Sequence, residues 1–191
     1  MVATTHQAQF AAIATKLADM RMLQDLMLEN ERLLTSACSG DKKIVERLED
    51  MIEDDKKNVT AIAEAQSKLG VQAEASGKTT EMVQKLRQMM GSDDLTLYEK
   101  AMQHEALKHQ LVMTGLTVHK AAQTTGGNLE ETIDPINKNN FRNRAHQEQL
   151  KGIILTLGTR ELVGKEPESG IWAQAEDAIA ALKGAFGGIA E

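Results

Sequence analysis

Apolar residues recur at steps of three and four along most of this chain, which is the spacing of an amphipathic α-helix. Long patterns of this kind cover about 7–37, 41–69, 95–123, 135–163 and 171–189, and a shorter one covers about 80–90. Gly40 and Gly70 stand where the first two patterns end, and Asp41 can cap the second. No alternating pattern of useful length indicates a strand.

The first four long patterns predict an all-α protein built as an antiparallel four-helix bundle. VQAEASGKTT is expected to be a polar crossover, and TTGGNLEETIDP to be a loop, because paired glycines and the residue before Pro135 disfavour a helix. The bundle is expected over 1–164, with a short crossover helix, and 165–191 is expected to form a linker plus a C-terminal amphipathic helix. Helical spacing predicts these core residues: Leu26, Leu48, Met51, Ile62, Val112, Leu116, Ile153 and Leu157.

The tail carries an apolar stripe of its own. The stripe consists of Trp172, Ala175, Ile179, Leu182, Phe186 and Ile189. It predicts that the helix over 171–189 docks on the bundle or on a second subunit, and the second alternative would make the protein a homodimer. Membrane attachment fits less well, because Lys183 alone opposes Glu176 and Asp177.

Composition and charge indicate which kinds of partner and which location are expected. Hydrophobic residues make up 41% and charged residues 26%, and the net charge of −6 comes from interspersed acids and bases. Without a basic stripe, no nucleic-acid partner is expected. Cys38 is the single cysteine and the first residues do not resemble a secretory signal, so a cytoplasmic location is expected. No apolar run is long enough to predict a membrane span.

Acidic and imidazole side chains interrupt the apolar stripes. Glu105 and His109 lie one turn apart on the third long helix. Asp55 on the second helix, Glu29 on the first and His146 on the fourth take comparable positions. Carboxylates and imidazoles that face one interior could bind a metal ion, since iron and manganese favour these ligands.

Four segments, LMLENERLL, MIEDDKKN, YEKAMQHEALKHQ and NRAHQEQLKG, resemble ferritin-like and hemerythrin-like (HHE cation-binding) helical bundles, including bacterial stress-associated members. The resemblance implies a carboxylate- and histidine-bridged di-iron centre. The hypothesis is therefore a bundle that binds iron, as a di-iron centre, or manganese, through Glu29, Asp55, Glu105, His109 and His146. Its role would be to handle iron, oxygen or peroxide in a stress response.

The ligand pattern also departs from these families. No Glu is followed three residues later by His. If the first hairpin turns near Ser39, Glu29 lies about 9 Å along the axis from the level of Asp55. A metal-free structural or protein-interaction protein with a degenerate metal site and no cofactor stays the alternative. The sequence has no P-loop, dinucleotide fingerprint, nucleophile elbow or zinc-type cysteine pair, so no catalytic residue is assigned and enzymatic activity is left open.

Overall fold

The computed structural model describes residues 2–168 and 170–185, with side chains from residue 7 onward. The helices in this part of the chain are α1 (Val2–Ala37), α2 (Lys42–Leu69), α3 (Gly77–Gly91), α4 (Leu97–Thr125), α5 (Asn128–Ile133), α6 (Ile136–Val163) and α7 (Ile171–Ala185). Because the described residues contain no strand, the all-α prediction is confirmed. Phe186 and Ile189 of the predicted tail stripe lie outside the described residues.

Helix ends follow the local chemistry of the sequence. The Asp41 side chain accepts a hydrogen bond from the Ile44 amide at 3.1 Å and so caps α2, as predicted. Gly70 ends α2 at φ 67°, a left-handed conformation that favours glycine. The prediction of a continuous loop over 124–135 is wrong, because α5 forms within it. Leu129 and Ile133, four residues apart, are both buried and fix this short helix to the core.

The four long helices surround one interior. α1 packs against α2 and α4, and α6 packs against α4 and α2. Neighbours run antiparallel: Tyr98 at the start of α4 lies against Gly158 near the end of α6, and Gly115 farther along α4 meets Asn140. An apolar cluster fills each end of the interior. A layer of buried polar side chains separates the two clusters, at the level of Glu31 on α1.

Most predicted core residues are buried. These are Leu26, Leu48, Met51, Ile62, Val112, Ile153 and Leu157. Leu116 is the exception, since it is only partly buried. In its place α4 buries Leu111, Gly115 and Val118, so the inward face of this helix is rotated from the predicted one.

The C-terminal helix α7 packs on α6. A side chain at Gly152 would place its Cβ 2.9 Å from the Trp172 ring, so glycine permits this close approach. The ring also lies 5.2 Å from the Lys43 ammonium, and Arg47 pairs with Glu176. Among the described residues, no helix is both long enough and apolar enough to cross a membrane.

Asp19 anchors the crossover between α2 and α3. Its carboxylate is 2% exposed, and it accepts hydrogen bonds from the Ser76 amide at 2.7 Å and from the Lys16 ammonium at 2.8 Å. Burial alone would raise the pKa of Asp19. The bonds from Lys16 and Ser76 outweigh burial and hold that pKa below its ordinary value.

We expect Asp19→Asn to lower the free energy of unfolding at neutral pH by about 1.5 to 3 kcal/mol, because it removes a charge-assisted acceptor. A depressed folded-state pKa gives stability that is present above the ordinary carboxyl pKa and is lost as the pH falls through the folded value. The difference in the free energy of unfolding between wild type and variant should therefore become smaller as the pH falls. Urea denaturation at several pH values measures it, with the exposed Asp50→Asn as the control. A gap independent of pH would contradict this role.

Candidate functional site

Lys108 lies at the centre of the polar layer. The side chain is fully buried. Its ammonium nitrogen is 2.8 Å from Glu31 Oε1, 3.1 Å from His146 Nδ1 and 3.5 Å from Asn143 Oδ1, and it also donates to Asp55 Oδ2. Side chains from all four long helices thus meet in the middle of the protein, with the α4 lysine surrounded by acceptors.

Charge balance explains the protonation of this layer. Burial alone would lower the pKa of Lys108, but Asp55 and Glu31 outweigh burial and raise it, so the ammonium stays charged. Burial would likewise raise the pKa of Glu31, yet Lys108, with His104 beside it, lowers that pKa to about 2. Burial, reinforced by the Glu31 charge, raises the pKa of Asp55. With one ammonium between two carboxylates, Asp55 is therefore the carboxylate that takes up a proton more readily.

Two histidines border the layer. Because an ammonium can only donate, His146 Nδ1 accepts from Lys108, and the neutral ring carries its proton on Nε2. That nitrogen is 3.5 Å from Asp54 Oδ2, and the nearby His146 ring is the main cause that lowers the pKa of Asp54. His104 is fully buried, with Nε2 3.3 Å from Glu31 Oε1.

The five predicted metal ligands do not form one site. Asp55 and His146 meet in the buried layer. Glu29 is exposed and forms an ion pair with Arg87 at 2.6 Å. Glu105 and His109 lie at the surface between α4 and α6. Sequence reasoning missed the two residues that complete the layer, Glu31 and Lys108.

Part of the buried layer has the residue types of a metal site. Glu31, Asp55 and His146 offer ligand atoms within 4.8 Å of one another, a set of carboxylates and imidazole that would suit iron or manganese. The Lys108 ammonium lies among these atoms, however, and a metal ion cannot share its position. The residues of this chain therefore do not fit the metal centre that the family resemblance implies.

A surface groove of about 400 Å³ runs between α4 and α6. Gln147 crosses it, and its Nε2 donates to Glu105 Oε1 at 2.7 Å and to His109 Nδ1 at 3.3 Å. Since His109 Nδ1 accepts, the neutral ring carries its proton on Nε2. The imidazole is exposed and thus presents an N–H donor outside the protein interior.

Two cations line the same groove, Arg144 and Lys151, and both are exposed. Neither has an acidic partner among the residues that the structure describes, whereas Arg87 and Arg160 elsewhere are ion-paired. Glu148 adds a carboxylate to the groove. The groove therefore combines available positive charge, a histidine and carboxylates around one accessible space.

The chain is similar to a protein named DNA nickase from Nostoc sp. (strain PCC 7120), with 48% identity over 188 residues, which is 98% of this chain and 53% of the relative. The chain thus spans about half the length of that relative. No family model matches the chain. No solved structure matches it either, so the ferritin-like or hemerythrin-like resemblance stays a prediction.

This relative corrects the functional hypothesis. The relative's name, DNA nickase, conflicts with a role in handling iron, oxygen or peroxide in a stress response. That functional prediction is therefore wrong. The alternative, a structural or protein-interaction role, likewise disagrees with the name DNA nickase, whereas the absence of a metal that it assumed is not tested by this relative. The relative's name also disagrees with the expectation that nucleic acid is not a partner.

Proposed function

We propose that the chain acts on DNA in a nicking reaction, with the α4–α6 groove receiving a phosphodiester of the DNA backbone. The observation that carries the proposal is the 48% identity to a protein named DNA nickase over 98% of this chain. The unpaired Arg144 and Lys151 in the groove supply the local support, because guanidinium and ammonium groups are the usual partners of phosphate oxygens.

The groove holds the chemical groups that cleavage of a phosphodiester requires. Hydrolysis forms a bond from water oxygen to phosphorus, breaks one P–O bond and leaves a proton on the departing oxygen. Arg144 and Lys151 would bind the non-bridging oxygens and stabilise their growing charge. In its imidazolium form, His109 would donate its Nε2 proton to the departing oxygen and be left as the neutral ring. A carboxylate such as Glu148 would accept a proton from the attacking water.

The buried layer is a poor alternative for direct contact with DNA. Glu31, Asp55 and Lys108 are all 0% exposed, so a phosphate could reach them only if the long helices separated. The Lys108 ammonium already contacts a carboxylate oxygen of each of the two acids. We therefore assign DNA contact to the groove and a structural role to the layer.

A net charge of −6 does not exclude this function, although it limits how DNA can bind. Charges farther apart than about 10 Å are largely screened at ordinary ionic strength, so the local cations decide the encounter. Arg144 and Lys151 provide such a local site. Binding should accordingly be confined to this face and sensitive to salt.

Conversion of supercoiled plasmid to the open circle tests the function. We expect the wild-type chain to nick, and His109→Ala to slow nicking by about 10²- to 10⁴-fold, the usual contribution of a general acid or base. His119→Ala is the matched control, because His119 contacts Asn137 at 2.7 Å and Asp134 outside the groove.

Two outcomes of this assay would overturn the proposal. One is a folded wild-type chain that leaves the plasmid supercoiled and does not bind it. The other is nicking that falls equally in the His109 and His119 variants, since it would place the reaction away from the groove. Circular dichroism of each variant confirms that its helices are intact.

A further inference from the structure

We infer that the buried layer is a cation site occupied by the protein's own Lys108 ammonium, and that removal of this ammonium opens a site for one divalent metal ion. The inference concerns the interior and does not depend on the DNA proposal. It starts from the arrangement of acceptors around one nitrogen atom.

The acceptors come from three helices and converge on one point. Glu31 of α1, Asp55 of α2 and His146 of α6 each direct an oxygen or nitrogen atom at the Lys108 nitrogen. The same three residues hold their ligand atoms within 4.8 Å of one another. Two carboxylates and an imidazole form a common ligand set for Mn²⁺, Fe²⁺ or Zn²⁺.

The distances suit an ammonium better than a metal ion. The Glu31 oxygen is 2.8 Å from the Lys108 nitrogen, whereas a carboxylate oxygen lies at about 2.1 Å from a bound transition metal. A shift of about 0.7 Å by Glu31, and of about 1 Å by His146 from its 3.1 Å contact, would close this difference, which side-chain rotation can supply. In the wild type the ammonium already provides a positive charge and three donors at the position that a metal ion would take.

His104 gives an independent indication of a cation site. The ring is fully buried, and neither ring nitrogen makes a hydrogen bond within the part of the chain that the structure describes. Its Nε2 nevertheless faces the layer, 3.3 Å from Glu31 Oε1. A buried imidazole without a hydrogen-bond partner, directed at the Glu31 carboxylate, is a further polar group that faces this position.

Two variants separate an open site from a filled one. Lys108→Ala removes the ammonium and leaves space, whereas Lys108→Met removes the charge but keeps most of the volume. We expect Lys108→Ala to bind one more Mn²⁺ per chain than the wild type, and Mn²⁺ to raise its melting temperature. Lys108→Met and the double variant Lys108→Ala/Asp55→Asn should show neither effect.

Electron paramagnetic resonance of free Mn²⁺ counts the bound ion, and circular dichroism follows the melting temperature. If Lys108→Ala is unfolded alone, refolding with and without Mn²⁺ gives the same test, with helix recovered only in its presence. A Lys108→Ala variant that matches the wild type in Mn²⁺ binding, or that stays unfolded with Mn²⁺, overturns the inference. So does a wild-type chain that binds one ion and loses it on Asp55→Asn, because Lys108 would then not be the resident cation.

Discussion

Lys108→Ala in metal-free buffer should lose about 3 to 5 kcal/mol of the free energy of unfolding, the usual result of removing one member of a buried ion pair. The reason is that Glu31 and Asp55 would stay fully buried without the cation that both contact. A domain of this size is commonly stable by about 5 to 15 kcal/mol, so the variant should be close to unfolding. Urea denaturation followed by circular dichroism measures the loss.

A triple variant tests whether the loss comes from unpaired charge rather than from lost packing. In Glu31→Leu/Asp55→Leu/Lys108→Met no carboxylate or ammonium of the layer remains, and apolar replacement of a whole buried network is often neutral or stabilising. We therefore expect it to recover most of the stability lost in Lys108→Ala. A triple variant less stable than Lys108→Ala would show that the network contributes more than the burial of its charges costs.

The second large effect is expected on the apolar face of α4. Leu111→Ala should lower the free energy of unfolding by about 2 to 5 kcal/mol, because Leu111 is 1% exposed and its removal leaves a cavity. Leu116→Ala, the same change on the same helix, should lower it by only about 1 kcal/mol, since Leu116 is partly buried. Equal losses in thermal or urea unfolding would mean that α4 is rotated from the orientation described here.

How far the sequence predicts this fold is clearest on α4. The helix itself was predictable, because its apolar spacing and its flanking stop signals are strong. Its inward face was not. That face is formed partly by Ala101, Gly115 and Ala122, which carry little hydrophobic signal, and by His104 and Lys108, which carry a polar one. Met102, which lies on the same stripe as Glu105 and His109, points outward at 44% exposed, and it favoured the wrong face.

The rotation by one position changed the candidate site. Glu105 and His109 were predicted to face the interior, and the residues directly before them, His104 and Lys108, do so instead. Turning a helix by one residue rotates a side chain by about 100°, which is enough to exchange a buried position for a surface one. Glu105 and His109 nevertheless reach another helix, through Gln147 on α6.

The positions of the acidic side chains along the helix axes also differed from those estimated from the sequence. Counting residues from the first hairpin placed Asp55 far from the level of Glu29, and Glu31 lies farther still along α1. Side chains lean toward the N-terminus of their own helix, however, and α1 and α2 are antiparallel. Glu31 and Asp55 therefore lean toward each other, and Lys108 reaches both. Residue counting treats only the backbone, so it could not predict this meeting.

The groove between α4 and α6 could not be predicted from the sequence, for a different reason. Arg144 and Lys151 stand two helical turns apart on α6, and net charge gives no sign that both lack an acidic partner. Only the packing of α4 against α6 places them beside His109. Proposed contact with DNA at this surface rests on both the arrangement of these side chains and the similarity to a protein named DNA nickase.

Salt-dependent binding of a fluorescent DNA duplex, measured by anisotropy, tests the central claim most directly. The account predicts that the wild type binds with an affinity that falls as salt rises, and that Arg144→Gln and Lys151→Gln each weaken binding and reduce the slope of log K against log salt by about one. Arg21→Gln, which removes the same charge from α1 where Arg21 pairs with Asp25, should leave the slope unchanged. A wild-type chain without measurable affinity for DNA, or groove variants with the slope of the wild type, would contradict the assignment of the α4–α6 groove to the DNA backbone.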